Sequence, residues 1–215
     1  MRLTEEDMKQ RRNFIIENAY LLFSAKGIQT VNIREIAKAS KVSENTIYRY
    51  FDNKEKLVLE TLVYIWNHIM TEIEAEVIAT DGYLSKNGFE QLKVWIQQLK
   101  KLYVQKKEFV LFSFEAKIHL LRHQEKLDAQ HQNVMLARVH HGLIVAIDKG
   151  KTDGSIPTKE NSEDIFYAIW GTLRGYIAKI VIYGELEDED SPWEKRYDVV
   201  ETGILCALKN GWRGK

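Results

Sequence analysis

Proline occurs only twice in the 215 residues, at Pro157 and Pro192, and both stand in polar, loop-like surroundings. Proline lacks the amide hydrogen that an interior helical position needs, so its scarcity leaves long stretches of chain open to helix. The apolar residues recur at helical steps. Ile15, Ala19, Leu22 and Phe23 share one face, and Gly27 follows where a glycine commonly ends a helix. The segments GLIVAI and AKIVIYG are rich in β-branched residues, but each lies inside a longer helical pattern and reads as buried helix. The expected fold class is all-α.

Asn32 is placed to cap a helix through IREIAKAS, and Ser43 to cap another through SENTIYRYF. Asp52 or Asn53 then opens a helix at KEKLVLETLVYIWNHIM. Long helices are predicted at about 88–106, 108–123, 125–149, 163–183 and 193–210. The organisation expected is a small head of three helices, residues 1–53, and a larger helical body, residues 54–215. The acidic stretch GELEDEDS reads as a solvated connector.

At 45% hydrophobic, the chain can bury a sizeable core. Its formal net charge is +0, but residues 1–56 hold 11 Lys/Arg against 8 Asp/Glu, and the remainder 20 against 23. A basic head on an acidic body directs any anionic partner to the head. The single cysteine, Cys206, cannot form an intramolecular disulfide and fits a reducing compartment. The opening MRLTEEDMKQRR has no apolar core of a signal peptide, and no apolar run approaches the length of a bilayer span. A cytoplasmic protein with no membrane partner is expected.

Two short helices joined by a tight turn form a helix-turn-helix, whose second helix enters the major groove of double-stranded DNA. Such a unit needs a core, for which Ile33, Ile36, Ala37, Val42, Ile47 and Phe51 are available with Phe14, Ala19 and Phe23. It also needs an outer face of hydroxyls, amides and cations. Thr30, Asn32, Arg34, Ser43, Glu44, Asn45, Thr46, Tyr48, Arg49, Tyr50 and Lys54 supply one. The helix starts at Asn32 and Ser43 add backbone N–H groups suited to phosphate oxygens.

The order of residues in AYLLFSAKGIQTVNIREIAKASKVSENTIYRYFDNKEKL resembles the DNA-binding head of TetR-family transcriptional regulators. The matching positions are Phe23, Gly27, Ile36, Ala37, Val42, Ser43, Tyr48, Tyr50, Phe51, Lys54, Glu55 and Leu57. The resemblance implies that Ser43 to Arg49 lie on the recognition helix, with Thr46 and Tyr48 close to DNA and Tyr50 and Lys54 on its backbone. Glu44, Asn45 and Arg49 would read sequence, since Asn suits adenine, Arg suits guanine and Glu accepts from cytosine. Glu44 is equally readable as a solvated residue, because a carboxylate near phosphates is costly. One departure is Lys41, in the turn where the family often has glycine.

The resemblance further implies a homodimer joined by the last two helices, a palindromic operator and a small-molecule effector, most often with a repressor's logic. For pairing, Ile165, Ile169, Thr172, Tyr176 and Ile180 make one stripe, with Gly171 and Gly175 permitting close approach. Tyr197, Val200, Ile204 and Leu208 add to it from the last helix. Among the body's aromatics, Trp66, Tyr103, Phe109, Phe112 and Trp170 are the candidates for an effector cavity, beside Trp95 and Phe114; taken singly, such residues are more often core. Two other readings stay open. Glu115, His119 and His123 are spaced four apart and could hold a metal, with His140 or His141 completing the site, which would make a metal-sensing regulator. The chain could also bind DNA with no small-molecule ligand at all. No phosphate-binding glycine loop and no nucleophile with a recognisable base occurs, so neither an enzyme nor a cofactor is expected.

Overall fold

The computed structural model describes residues 4–123, 129–183 and 193–211. Among these the order is α1 (Glu5–Lys26), α2 (Ile33–Ala39), α3 (Glu44–Phe51), α4 (Lys54–Ala79), α5 (Gly88–Gln105), α6 (Lys107–Arg122), α7 (Ala129–Asp153), α8 (Ser162–Tyr183) and α9 (Trp193–Lys209), with a single 3-10 turn at Tyr83–Ser85. The chain is all-α, and both β-branched segments are helical as far as they are described. The acidic connector, Pro192 and the predicted start of the helix near residue 125 lie outside the described residues. The helix from Lys54 runs nine residues past the Met70 expected from its apolar pattern, to Ala79.

Two compact units divide the fold, Met1–Ile69 with Glu108–Met135, and Met70–Lys107 with Leu136–Lys215. This is a different cut from the functional division at residue 53, because α6 and the first part of α4 belong to the same unit as α1 to α3.

In the first unit, Thr4 opens α1 through a reciprocal capping box with Asp7. Ile15, Ile16, Ala19 and Phe23 form its buried face. Phe14 is not part of that face; it is 47% exposed. At 100° per residue it stands roughly 150° from the middle of the buried arc, so Ile15 and Ile16 take the place expected for it. Gly27 ends α1 at φ 82, donating its N–H to the Phe23 carbonyl at 2.8 Å. Glu115 of α6 accepts the next amide, that of Ile28, at 2.6 Å. A Cβ at position 27 would lie 3.3 Å from that carboxylate. Glycine therefore serves both the backbone conformation and the docking of α6. Phe112 of α6 then meets Tyr20 edge-on and stacks on Phe23, while Phe109 stacks on Trp66 of α4 at 6.0 Å.

In the second unit, close helix approach depends on missing side chains. A Cβ on Gly88 of α5 would fall 1.9 Å from the backbone nitrogen of Gly150 of α7, and one on Gly142 would fall 2.2 Å from the Trp95 ring. Trp95 donates its indole N–H to the Tyr83 hydroxyl at 3.0 Å, which meets the polar demand of a buried indole. Arg138 of α7 grips Glu74 of α4 with two parallel bonds, Nε at 2.8 Å and a terminal nitrogen at 2.5 Å. Asp153 holds the start of α5 by accepting from Gly88 N–H at 2.8 Å. Its carboxyl sits below its ordinary pKa, chiefly through the Ser155 hydroxyl and then the Gly88 amide. No described helix is long and apolar enough to cross a membrane.

Candidate nucleic-acid interface

The recognition surface is assembled from local capping. Asn32 and Glu35 form a capping box at the start of α2, with Asn32 Oδ1 accepting from Glu35 N–H at 3.0 Å and Glu35 accepting from Asn32 N–H at 3.1 Å. Lys26 anchors the same carboxylate at 2.8 Å. Ser43 caps α3, its hydroxyl accepting from Thr46 N–H at 3.2 Å and lying 2.8 Å from the Thr46 hydroxyl. Between the helices, Val42 N–H returns to the Ala37 carbonyl at 3.0 Å and Lys41 N–H to Lys38 at 3.2 Å. That pair of bonds is a Schellman turn, whose penultimate position favours the left-handed region and glycine. Lys41 occupies it at φ 53.

Ile47 and Phe51, each 1% exposed, bury one face of α3. Glu44, Asn45, Tyr48 and Arg49 are exposed, Thr46 and Tyr50 half-buried. Thr30, Asn32, Arg34 and Ser43 are exposed too. Arg34, Lys38, Ser43, Glu44, Asn45 and Tyr48 line one shallow groove, which has Ala37 and Val42 as its floor. A second groove shares Val42 and is lined by Gln10, Arg11, Phe14, Lys41 and Thr46, among others. Lys38, Lys41, Gln10 and Arg11 were not among the sequence-selected residues. Lys38 stands one turn after Arg34, a helical neighbour relation that pointed to it; the approach of α1 to the turn has no such sequence signal.

Lys54 also makes a bond inside the chain. Its ammonium donates to the Ile28 carbonyl at 2.6 Å, which ties the start of α4 to the loop after α1. Burial pushes its pKa down. Asn53, not Asp52, caps α4, accepting from Lys56 N–H at 2.6 Å. Asp52 instead sits at φ 59, in a three-residue turn closed by Asn53 N–H to Phe51 carbonyl at 2.6 Å.

Residues 15–61 match the family model described as bacterial regulatory proteins, tetR family. The HTH-type transcriptional regulator TtgR of Pseudomonas putida is 24% identical over 215 residues, covering 95% of this chain and 94% of TtgR. YuxN, an uncharacterized HTH-type transcriptional regulator of Bacillus subtilis, is 41% identical over 66 residues. That match spans 31% of this chain and only 23% of YuxN. Among solved structures, FadR of Bacillus subtilis, in complex with stearoyl-CoA, superposes with a TM-score of 0.65 at 18% identity, over 94% of this chain and 99% of that one. Residues 15–61 carry the head of the TetR family.

The residues expected at a pairing face separate into two sets. Ile169, Ile180 and Leu208 are buried within the single chain, at 3%, 7% and 0% exposure, and have almost no surface left to offer. Gly171, Thr172 and Gly175 are exposed, and Tyr176, Val200 and Ile204 half-buried. A Cβ at Gly171, Gly175 or Gly203 would meet nothing within 4 Å. Tyr167 and Val199 are exposed beside them, at 56% and 69%. The isoleucines of the α8 stripe thus lie on its inner face, and Gly171, Thr172 and Gly175 lie on its outer face with Tyr167.

The five aromatics expected at an effector cavity are divided between the two units. Trp66, Phe109 and Phe112 pack together in the first unit and are buried there. Tyr103 and Trp170 belong to the second, where the Arg174 guanidinium lies over the Trp170 ring at 5.9 Å. Burial raises the Tyr103 hydroxyl to about 12, against an opposing pull from Arg174.

The metal candidates are rearranged as well. Glu115 is committed to Ile28 and lies two helical turns from His123, about 12 Å along the axis, so the two cannot share an ion. Glu55 of α4 takes its place, with ligand atoms of Glu55, His119 and His123 all within 4.8 Å of one another. Burial, followed by the nearby His123, lowers the His119 pKa, and Glu55 opposes the shift. His140 is engaged in the second unit, 2.7 Å from Glu163 and edge-on to Phe166.

Proposed function

We propose that this chain is a sequence-specific, DNA-binding transcriptional regulator that acts as a homodimer on a palindromic operator. The reading rests first on α3, where Ile47 and Phe51 fill the core while Glu44, Asn45, Tyr48 and Arg49 face outward at the start and middle of the helix. Asn45 and Arg49 carry the side chains that make bidentate contacts with adenine and guanine. Ser43 and the free amides of the first turn of α3 hold a phosphate. Thr30, Asn32, Arg34, Thr46, Tyr50, Lys38 and Lys41 surround the bases with backbone contacts. Lys54 has two donors left for a phosphate beyond its bond to Ile28.

Residues 1–53 are the DNA-binding domain and residues 54–215 the effector-binding and dimerisation domain of this reading, and the compartment is the cytoplasm. The exposed glycine face of α8 and α9 supports pairing through those helices. A small-molecule effector is supported by FadR, whose structure contains stearoyl-CoA; its chemistry here is not assigned. Coupling runs through α4, one continuous helix from Lys54 to Ala79 that both units share. A ligand pressed against it near Trp66 tilts its start and changes the separation of the two α3 helices. Two rigid readers fit successive major grooves only near about 34–36 Å, so repression is relieved by a small shift.

The test is selection of DNA bound by the full chain from random duplexes. Enrichment of a sequence with two inverted half-sites is expected. Uniform recovery of all sequences, with binding that salt abolishes, contradicts the reading.

A further inference from the structure

Glu55 lies in the first turn of α4, His119 in the last turn of α6, and His123 just past its end. All three belong to the first compact unit. Glu55 Oε1 is 3.5 Å from His119 Nε2 and 3.9 Å from His123 Nδ1. Four-coordinate zinc, with bonds of about 2.0–2.1 Å, sets its donors roughly 3.3–3.4 Å apart. Glu55 is near that spacing from His119 already, and His123 must come closer to Glu55 by about half an ångström. The three ligand atoms as a set, now within 4.8 Å of one another, draw in by a turn of the exposed His123 side chain. His119 is 4% exposed; its Nδ1 has no hydrogen-bond partner among the described residues, and its Nε2 has only the Glu55 carboxylate, at a long 3.5 Å. A buried imidazole so poorly partnered is costly, and an ion beside Nε2 removes part of that deficit. His123 is exposed, so the position is reachable from solvent.

We propose that Glu55, His119 and His123 bind a first-row divalent transition ion, joining the first turn of α4 to the end of α6. Two imidazole nitrogens and one carboxylate oxygen suit Zn2+ or Co2+; the hard ions Mg2+ and Ca2+ take oxygen donors instead. Three protein ligands leave a fourth position for water, the pattern of an exchangeable ion. The Lys54 charge is felt at His119 and opposes a cation there, but neither Lys54 nor Glu115 occupies the place. The Lys54 ammonium is turned to the Ile28 carbonyl, and Glu115 to the Ile28 amide. The ion would stiffen the segment that follows α3 by two residues.

The site is tested without DNA, so its failure leaves the regulator reading untouched, and the reverse. Chelator-stripped full-length protein is titrated with Zn2+ against a chromogenic chelator, and with Co2+ followed by visible absorption. One Zn2+ per chain is expected, with Mg2+ in large excess failing to displace it. Glu55→Gln and His123→Ala should each weaken Zn2+ at least about tenfold and remove the Co2+ absorption of a low-coordinate site. A His140→Ala/His141→Ala double variant should bind as the parent does. His123 is exposed, so its variant keeps the fold, which circular dichroism checks. Equal Zn2+ affinity in parent, Glu55→Gln and His123→Ala overturns the proposal, as does the absence of Zn2+ binding by the parent.

Discussion

The outer faces of α3 and α8 are both left uncovered among the described residues, and their chemistry differs. On α3 the exposed positions are long and polar, Glu44, Asn45, Tyr48 and Arg49; on α8 they include Gly171, Thr172 and Gly175. Long hydrogen-bonding side chains reach into a groove whose walls stay hydrated, as a DNA groove does. Small residues bring a backbone close to another helix and gain from shape alone. An uncovered face is therefore not one kind of feature. The lengths of its side chains say which partner it suits.

The largest effect should come from filling the α8 face. Gly171→Leu/Gly175→Leu should raise the dimer dissociation constant on the order of 100-fold or more, since overpacking is repeated on both chains. Neither Cβ has a neighbour within 4 Å among the described residues, so the helical signal and the head should survive. Sedimentation velocity checks this, and an unchanged dimer would show that another surface pairs the chains. Gly142→Ala supplies the contrasting case of a glycine that is filled from inside. Its Cβ would meet the Trp95 ring at 2.2 Å, and a loss of about 1–3 kcal/mol in denaturant unfolding is expected.

On α3 and its turn the effects should be smaller and divided by type. Lys38→Ala should weaken all duplexes alike and lower the slope of log affinity against log salt by about one phosphate's worth, without changing which sequence is preferred. If Lys38→Ala alters preference instead, it reads bases, and the groove beside α2 belongs to recognition. The smallest change expected is Lys41→Gly. Relief of the left-handed backbone at φ 53 should stabilise the head by up to about 1 kcal/mol, seen as a rise in melting temperature. A fall would mean that the Lys41 side chain contributes more than its backbone costs.

What could be read from the sequence follows the range of the interaction. Helix starts were legible because Asn32 and Ser43 cap their own helices three residues on, and the strain at Lys41 because a turn of known type requires it. The buried half of α1 was legible only in part. Three apolar residues in succession, Phe14, Ile15 and Ile16, do not announce which of them the helix turns outward. Residues whose partner is distant in the chain were not legible at all. Glu115 meets Ile28 across 87 positions, and Glu55 joins His119 and His123 from another helix. A spacing of four along one helix marks a face; it does not name what stands opposite. On α8, periodicity finds the apolar stripe but does not say that Ile169 and Ile180 are buried within the chain.

The central claim is that the exposed face of α3 reads base sequence. It is tested most directly by the affinity of the parent and Arg49→Ala for the selected operator and for a random duplex, at one salt concentration. The account predicts that Arg49→Ala lowers operator affinity by about 1–3 kcal/mol, roughly 5- to 150-fold, and leaves random-duplex affinity nearly unchanged. Equal losses on both duplexes, or no loss on either, would contradict it.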